Sequence, residues 1–207
     1  MKEVRIGLIG TGYIGKAHAI AYAQAPTVFN LRGRLVREMV AEVTPELAAA
    51  RAQAFGFNRS TGDWRALVAD PAIDVVDICS PNHLHKEMAL ALNAHDARET
   101  VDAAKRAGVK TLVGFNYMKN PTAQLAKEII ARGEIGEVIH FYGTHNEDYM
   151  ADPLSPIHWH CFKETAGLGA LGDLAAHIVN MAQYLVGEIE QVCGDLKIVV
   201  PQRPAKV

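Results

Sequence analysis

Val4-Arg5-Ile6-Gly7-Leu8-Ile9-Gly10-Thr11-Gly12-Tyr13-Ile14-Gly15 decides the fold. A short apolar strand runs straight into Gly-x-Gly-x-x-Gly, and the Lys16–Ala23 stretch that follows, KAHAIAYA, suits a helix. Each glycine has a task in a dinucleotide-binding turn. Gly10 permits the tight turn, Gly12 clears the way for backbone to approach a pyrophosphate, and Gly15 lets the helix pack closely on the strand. Tyr13 and Ile14 open the helix, where free N–H groups suit an anion. Glycines punctuate many loops, but a strand before and a helix after make this pattern specific. Gly10, Gly12, Tyr13, Ile14 and Gly15 are therefore candidate cofactor contacts.

Composition bounds the remainder. The 207 residues are 49% hydrophobic and 21% charged, which suits a globular chain of one large domain or two small ones. The net charge of −2 comes from 21 basic and 23 acidic side chains with no long run of either sign, which argues against nucleic acid or a membrane surface as partner. No apolar run reaches membrane-spanning length, and Glu3 and Arg5 interrupt any secretory pattern. Cys79, Cys161 and Cys193 form no Cys-x-x-Cys and read as reduced thiols of a cytoplasmic protein.

Residues 25–34 read as a loop, and Leu35–Val43 as a second strand. A dinucleotide fold places a carboxylate at the tip of that strand to bind the adenosine ribose, about 20 residues past the glycines. Glu42 is the candidate, but it lies 32 residues past Gly10, which calls for an insertion. Its charge disfavours a 2′-phosphate and so favours NAD, whereas Arg32, Arg34 and Arg37 keep NADP open. Thr44-Pro45-Glu46 starts a helix that Gly56 ends, Asp63–Val68 is a short helix, and Ile73–Ile78 a buried strand. This alternation predicts a parallel, doubly wound sheet with its ligand at the carboxyl ends of the strands. Ser80, Asn82 and His85 then fall beside the same crevice and join the cofactor set. His83 and His85 lack a third ligand, so no metal is expected.

Further strands are predicted over residues 109–115, 138–144 and 191–199, and helices over 121–132 and 171–185. His145-Asn146-Glu147-Asp148-Tyr149 follows a strand and reads equally as cavity lining or as solvated loop. Asp173 and His177 stand four positions apart on one helix.

Several of these segments resemble the Gfo/Idh/MocA oxidoreductases, a family that includes glucose-fructose oxidoreductase and inositol dehydrogenases. They are Gly10–Gly15, Ile78–His85, Val113–Tyr117 with Asn120-Pro121, Gly133–Gly136 and Gly167–His177. The resemblance implies a Rossmann domain over residues 1–116 and a partial α+β substrate and oligomerisation domain, with an open sheet, over residues 117–207. It implies NAD(P)-dependent hydride transfer to or from a sugar, cyclitol or related polyol, in a homo-oligomer. Asp173 and His177 match the family's Gly-Asp-x-x-x-His and are the implied catalytic pair. Asn116, Tyr117, His145, Trp159 and Asp173 are the implied substrate contacts.

Two departures bear on activity. Family members carry Glu-Lys-Pro, whose lysine shares the proton handling, after a fourth strand; here Met88–Leu92 passes into Asn93–Glu99 with neither. The chain also stops soon after an early strand of the second domain. Either residues lie outside this sequence near Leu92–Asp96, which is the expectation, or the sheet is rewired. Rewiring would make His83–Ala107 one helix and move Thr111–Phe115 into a vacant place beside the first strand. Beside the dehydrogenase stand two other readings: a degenerate relative that holds a nucleotide without turnover, and a metal-dependent hydrolase using His158, His160 and His177.

Overall fold

The carboxyl halves of the first two strands form the centre of the nucleotide-binding half. In the computed structural model, which describes residues 1–81, 84, 88 and 94–205, β1 (Lys2–Ile9) and β2 (Gly33–Ala41) each end in four consecutive buried residues. They lie in parallel register, Gly7 beside Met39, Leu8 beside Val40 and Ile9 beside Ala41. Continuous burial without alternation means that the sheet is covered on both faces. One face packs Leu8 and Val40 against Ala19 of α1 (Tyr13–Val28), Ala52 of α2 (Pro45–Phe55) and Phe57. The other packs Ile9, Met39 and Ala41 against Leu67 of α3 (Trp64–Val68). The expected doubly wound arrangement is present.

The four parallel strands run in the order β3 (Arg59–Thr61), β2, β1, β4 (Val75–Ile78). β3 escapes a reading for apolar alternation because it is three polar residues long. A carboxylate holds it instead. Buried Glu38 on β2 accepts from Asn58 Nδ2 at 2.9 Å and Arg59 Nε at 2.8 Å, and Arg59 also pairs with Asp70 at 2.7 Å. With β3 counted, Val75–Ile78 is the fourth strand and already occupies the place beside β1. β1 thus has β2 on one side and β4 on the other, and among the described residues Thr111–Phe115 forms no strand, which differs from the rewired arrangement. Leu92 and its neighbours, where absent residues are expected, lie outside the described residues.

The long spacing from Gly10 to Glu42 also has another origin than a loop insertion. α1 continues through Ala25 and Pro26 to Val28, and β2 starts at Gly33. Pro26 lies in the last turn, where its missing N–H costs one hydrogen bond, and Phe29 N–H closes the helix on the Ala25 carbonyl at 2.9 Å. The α2 ends are as read, with Thr44 capping it through its side chain and Gly56 ending it with φ +68°; α3 starts one residue later than expected, with Asp63 as its side-chain cap.

By internal contacts the chain divides into two compact units, Met1–Leu90 and Ala91–Val207. The second contains α4 (Ala94–Ala107), α5 (Pro121–Ala131), α6 (Lys163–Ala166) and α7 (Ala176–Leu185). Short 3₁₀ turns at Tyr117–Lys119 and Trp159–Cys161 join them, and a π turn at Leu171–Ala175 leads into α7. α5 packs on α7, with Lys127 over the Tyr184 ring. The strands expected over residues 109–115, 138–144 and 191–199 are not formed among the described residues. A strand needs a hydrogen-bonded neighbour, and these segments find none among the described residues; Ile139, Val192 and Leu196 are 84%, 86% and 74% exposed.

Leu67 is fully buried against the backbone of β1, where a Cβ on Gly7 would lie 2.6 Å from it. Leu67→Ala is expected to destabilise the first unit by about 2–5 kcal/mol, measured by denaturant unfolding.

Candidate functional site

The glycine-rich turn has the geometry that its sequence predicts. Gly10 adopts φ +84°, and a Cβ on Gly15 would lie 2.0 Å from the Gly10 carbonyl oxygen. Only glycine fits at both positions. A Cβ on Gly12 would meet nothing within 4 Å, so the space in front of the turn is free. The start of α1 carries no side-chain cap and no acid in its first turn, and Tyr13 and Ile14 are exposed on either side of its free N–H groups.

Glu42 stands directly against this turn. Its Oε1 accepts from the Thr11 N–H at 2.6 Å and also from the Thr11 hydroxyl, while Gly10 N–H donates to the Ala41 carbonyl at 3.0 Å. A carboxylate is thus held at the carboxyl ends of β1 and β2. Two of the arginines that left a 2′-phosphate open are used elsewhere. Arg37 donates to the Phe55 carbonyl at 2.6 Å, and Arg34 pairs with Glu3. Ser80 follows β4 beside Gly10, and its hydroxyl donates to Met88 Sδ at 3.3 Å. Asn82 and His85 lie outside the described residues. A free helix N-terminus, an open glycine and a ribose-competent carboxylate fit a dinucleotide.

In the second unit a cavity of about 390 Å³ is lined by Tyr117, Thr144, His145, Asn146, Glu147, His177, Ile178 and Met181. Three of the expected site residues therefore meet. His177 receives the Tyr117 ring edge-on at 4.9 Å and the Phe115 ring at 5.8 Å, and His145 stacks on it at 5.7 Å. Its buried Nδ1 has no hydrogen-bond partner among the described residues. Burial first, and then the neighbouring His145, push the His177 pKa below its ordinary 6.5, against the opposing pull of Asp173. The imidazole is accordingly neutral at neutral pH and able to accept a proton.

Asp173 sits in the π turn, a local widening of the helix that residue spacing did not reveal. Its Oδ2 accepts from the Tyr149 hydroxyl at 3.3 Å and lies 3.6 Å from His160 Nε2. Burial lowers the His160 pKa, and burial followed by the Asp173 charge raises that of Tyr149. Trp159 stacks on His160 with centroids 3.5 Å apart. Asn116 is exposed at the start of the Tyr117–Lys119 turn and makes no side-chain cap there. Asn120 is spent on capping α5, accepting from Thr122 N–H at 3.0 Å. Tyr149, His160 and Glu147 are additions to the predicted set; their signal lay in the polar run His145–Tyr149 and in the Trp159-His160 pair. Among the described residues His158, His160 and His177 do not bring three ligand atoms within reach of one ion, which removes the basis for a hydrolase built on them.

Residues 4–101 match the model of an oxidoreductase family with an NAD-binding Rossmann fold, and residues 123–207 match the GFO/IDH/MocA C-terminal domain. Levoglucosan dehydrogenase of Pseudarthrobacter phenanthrenivorans is 44% identical over 220 aligned positions, covering 99% of this chain and 56% of that protein. The aligned stretch exceeds the 207 residues present, so that relative carries residues with no counterpart here. Myo-inositol 2-dehydrogenase of Thermotoga maritima is 27% identical over 98% of this chain and 61% of its own length. A solved structure of levoglucosan dehydrogenase with NADH and levoglucosan superposes with a TM-score of 0.95 at 43% identity, covering 99% of this chain and 60% of the other. The chain thus spans little more than half the length of these relatives. The paired domain matches, in the order that the glycine turn and the Asp173–His177 helix require, place this chain in the Gfo/Idh/MocA oxidoreductase family, with the family's NAD-binding Rossmann fold in its N-terminal half.

Proposed function

We propose that the protein is an NAD-dependent dehydrogenase of a sugar, anhydrosugar or cyclitol, with residues 1–116 holding the nucleotide and residues 117–207 contributing to the substrate site. The observation that carries this reading is His177, its pKa held down by burial and its Nδ1 without a hydrogen-bond partner among the described residues, in a cavity of polyol size beside Asp173. Gly10, Gly12, Tyr13, Ile14, Gly15 and Ser80 hold the pyrophosphate side of the cofactor, and Glu42 its ribose. Asn82 and His85 join them on the strength of the resemblance. When bound, the nicotinamide supplies the hydride acceptor. His177 accepts the carbinol proton at its ring nitrogen. Asp173, held by Tyr149 and flanked by His160, orients the substrate hydroxyls and stabilises the imidazolium that forms. Tyr117, His145 and Asn116 present polar groups to the same ligand, and Trp159 fixes His160 by stacking.

The wider reading includes a cytoplasmic protein, supported by three cysteines that are all free, and a homo-oligomer. Apolar side chains exposed on the unpaired segments, such as Ile139 and Ile198, support further contacts there. A second reading rests on one feature, the absence of Glu-Lys-Pro between Leu92 and Asp96. On it, the chain holds the nucleotide without turnover.

NADH titration followed by absorbance assays with NAD and a panel of anhydrosugars, sugars and inositols separates the two. Dehydrogenation with NAD is expected, and tight NADH binding with no turnover of any member supports the second. His177→Gln and Asp173→Asn are each expected to lower kcat/KM by roughly 10²–10⁴-fold while leaving NADH binding unchanged. The pH dependence has a defined sign. Turnover is lost as pH falls through the depressed His177 pKa, so the acid limb has its midpoint below 6.5. Asp173→Asn removes the charge that holds this pKa up and shifts any residual limb further to acid. Glu42→Gln is expected to narrow the preference for NADH over NADPH, read as the ratio of the two dissociation constants.

A further inference from the structure

A second group of chemistry-bearing side chains meets between α1 and β4, outside both the glycine turn and the cavity. His18 and Tyr22 lie one helical turn apart on α1, while Asp77 and Cys79 share one side of β4 and its extension. His18 Nδ1 lies 2.8 Å from Asp77 Oδ2 and 3.4 Å from Cys79 Sγ, and Cys79 Sγ lies 3.6 Å from Asp77 Oδ1. One ligand atom from each of the three lies within 4.8 Å of the others.

A nucleophilic Cys-His-Asp relay needs the thiol and the carboxylate on opposite nitrogens of the imidazole. Here both approach Nδ1, so no proton can pass across the ring. The thiol is also pushed well above its ordinary range, first by burial and then by the Asp77 charge, which makes it a poor free nucleophile. The arrangement suits an ion better. A tetrahedral zinc with bonds of about 2.3 Å to sulfur and about 2.0 Å to nitrogen and oxygen separates its ligand atoms by roughly 3.3–3.6 Å. The His18 Nδ1–Cys79 Sγ separation of 3.4 Å already matches, and with Asp77 Oδ1 as the carboxylate ligand the Sγ–Oδ1 separation of 3.6 Å does too. A mixed S, N and O donor set selects a borderline divalent cation over calcium or magnesium. The Tyr22 hydroxyl donates to Asp77 and fixes its orientation from outside the ligand set. The His18 side chain is 43% exposed, so solvent reaches the group and can supply a fourth ligand.

We propose that His18, Asp77 and Cys79 form a binding site for a divalent cation of the zinc class, with water in the fourth position. On binding, the Cys79 thiol gives its proton to solvent as the sulfur–metal bond forms, with no change of oxidation state. The ion bridges α1 to β4 directly behind the turn, since Cys79 Cβ and carbonyl are the atoms that Gly15 and Gly10 face. This site is independent of the dehydrogenase reading.

Cobalt(II) titration tests it, in the full chain with the exposed Cys161 and Cys193 replaced by serine, so that Cys79 is the one thiol left. One cobalt per chain is expected, with a thiolate-to-cobalt charge-transfer band and the visible absorption of tetrahedral geometry, both abolished by added zinc. Tyr22→Phe is expected to weaken cobalt binding by roughly tenfold without changing the band. His18→Gln, on an exposed helix surface, is expected to lose the tetrahedral absorption and to bind at least tenfold more weakly. Cobalt bound with no thiolate band, or bound equally well by His18→Gln, overturns the site.

Discussion

The close approach of α1 to the strand ends is the constraint on which the nucleotide-binding half depends. Gly15 comes so near the Gly10 carbonyl that even a methyl group there would sit 2.0 Å from the oxygen. That contact sets the direction of α1 and points its free N-terminus out from the carboxyl edge of the sheet. It also lets Ala19, one turn on, enter the cluster with Leu8 and Val40. Packing of the helix and exposure of its N–H groups are therefore one feature seen from two sides. Any side chain at Gly15 would lift the helix, and would loosen the core and the anion site together.

The turn is organised before any ligand arrives. Thr11 spends its N–H and its hydroxyl on Glu42, so the carboxylate is already fixed at the tip of β2. Preorganisation of this kind lowers the entropy lost on binding. A comparable economy operates in the second unit, where rings from Tyr117, Phe115 and His145 surround His177. They strip it of water, which disfavours the imidazolium, and its Nδ1 has no hydrogen-bond partner among the described residues. An imidazole kept neutral by its surroundings can accept a proton near neutral pH. Asp173 opposes that effect through its charge.

Much of the first unit was legible in the sequence because its signals are local. The turn glycines, the Thr44 cap and the apolar β1 each act within a few residues. β3 was not legible, since Arg59-Ser60-Thr61 has no apolar pattern and is held by Glu38, which lies more than one helix away along the chain. α1 outran its predicted end because Pro26 falls in a last turn that tolerates it. In the second unit the alternating segments were read as strands, yet alternation describes a face and does not supply the neighbour that a ladder needs.

The sequence by itself determined the dinucleotide turn and the parallel doubly wound sheet, because each rests on residue types at short, fixed spacings; it offered Glu42 only with a stretched spacing, and Asp173 with His177 only through the resemblance. The tertiary structure alone decided that Val75–Ile78 lies beside β1, and that His145 and Tyr117 surround His177. It alone placed Tyr149 and His160 against Asp173, and brought His18, Asp77 and Cys79 together. Those relations join residues that lie tens of positions apart, and long-range packing rather than any local preference sets the distances between them.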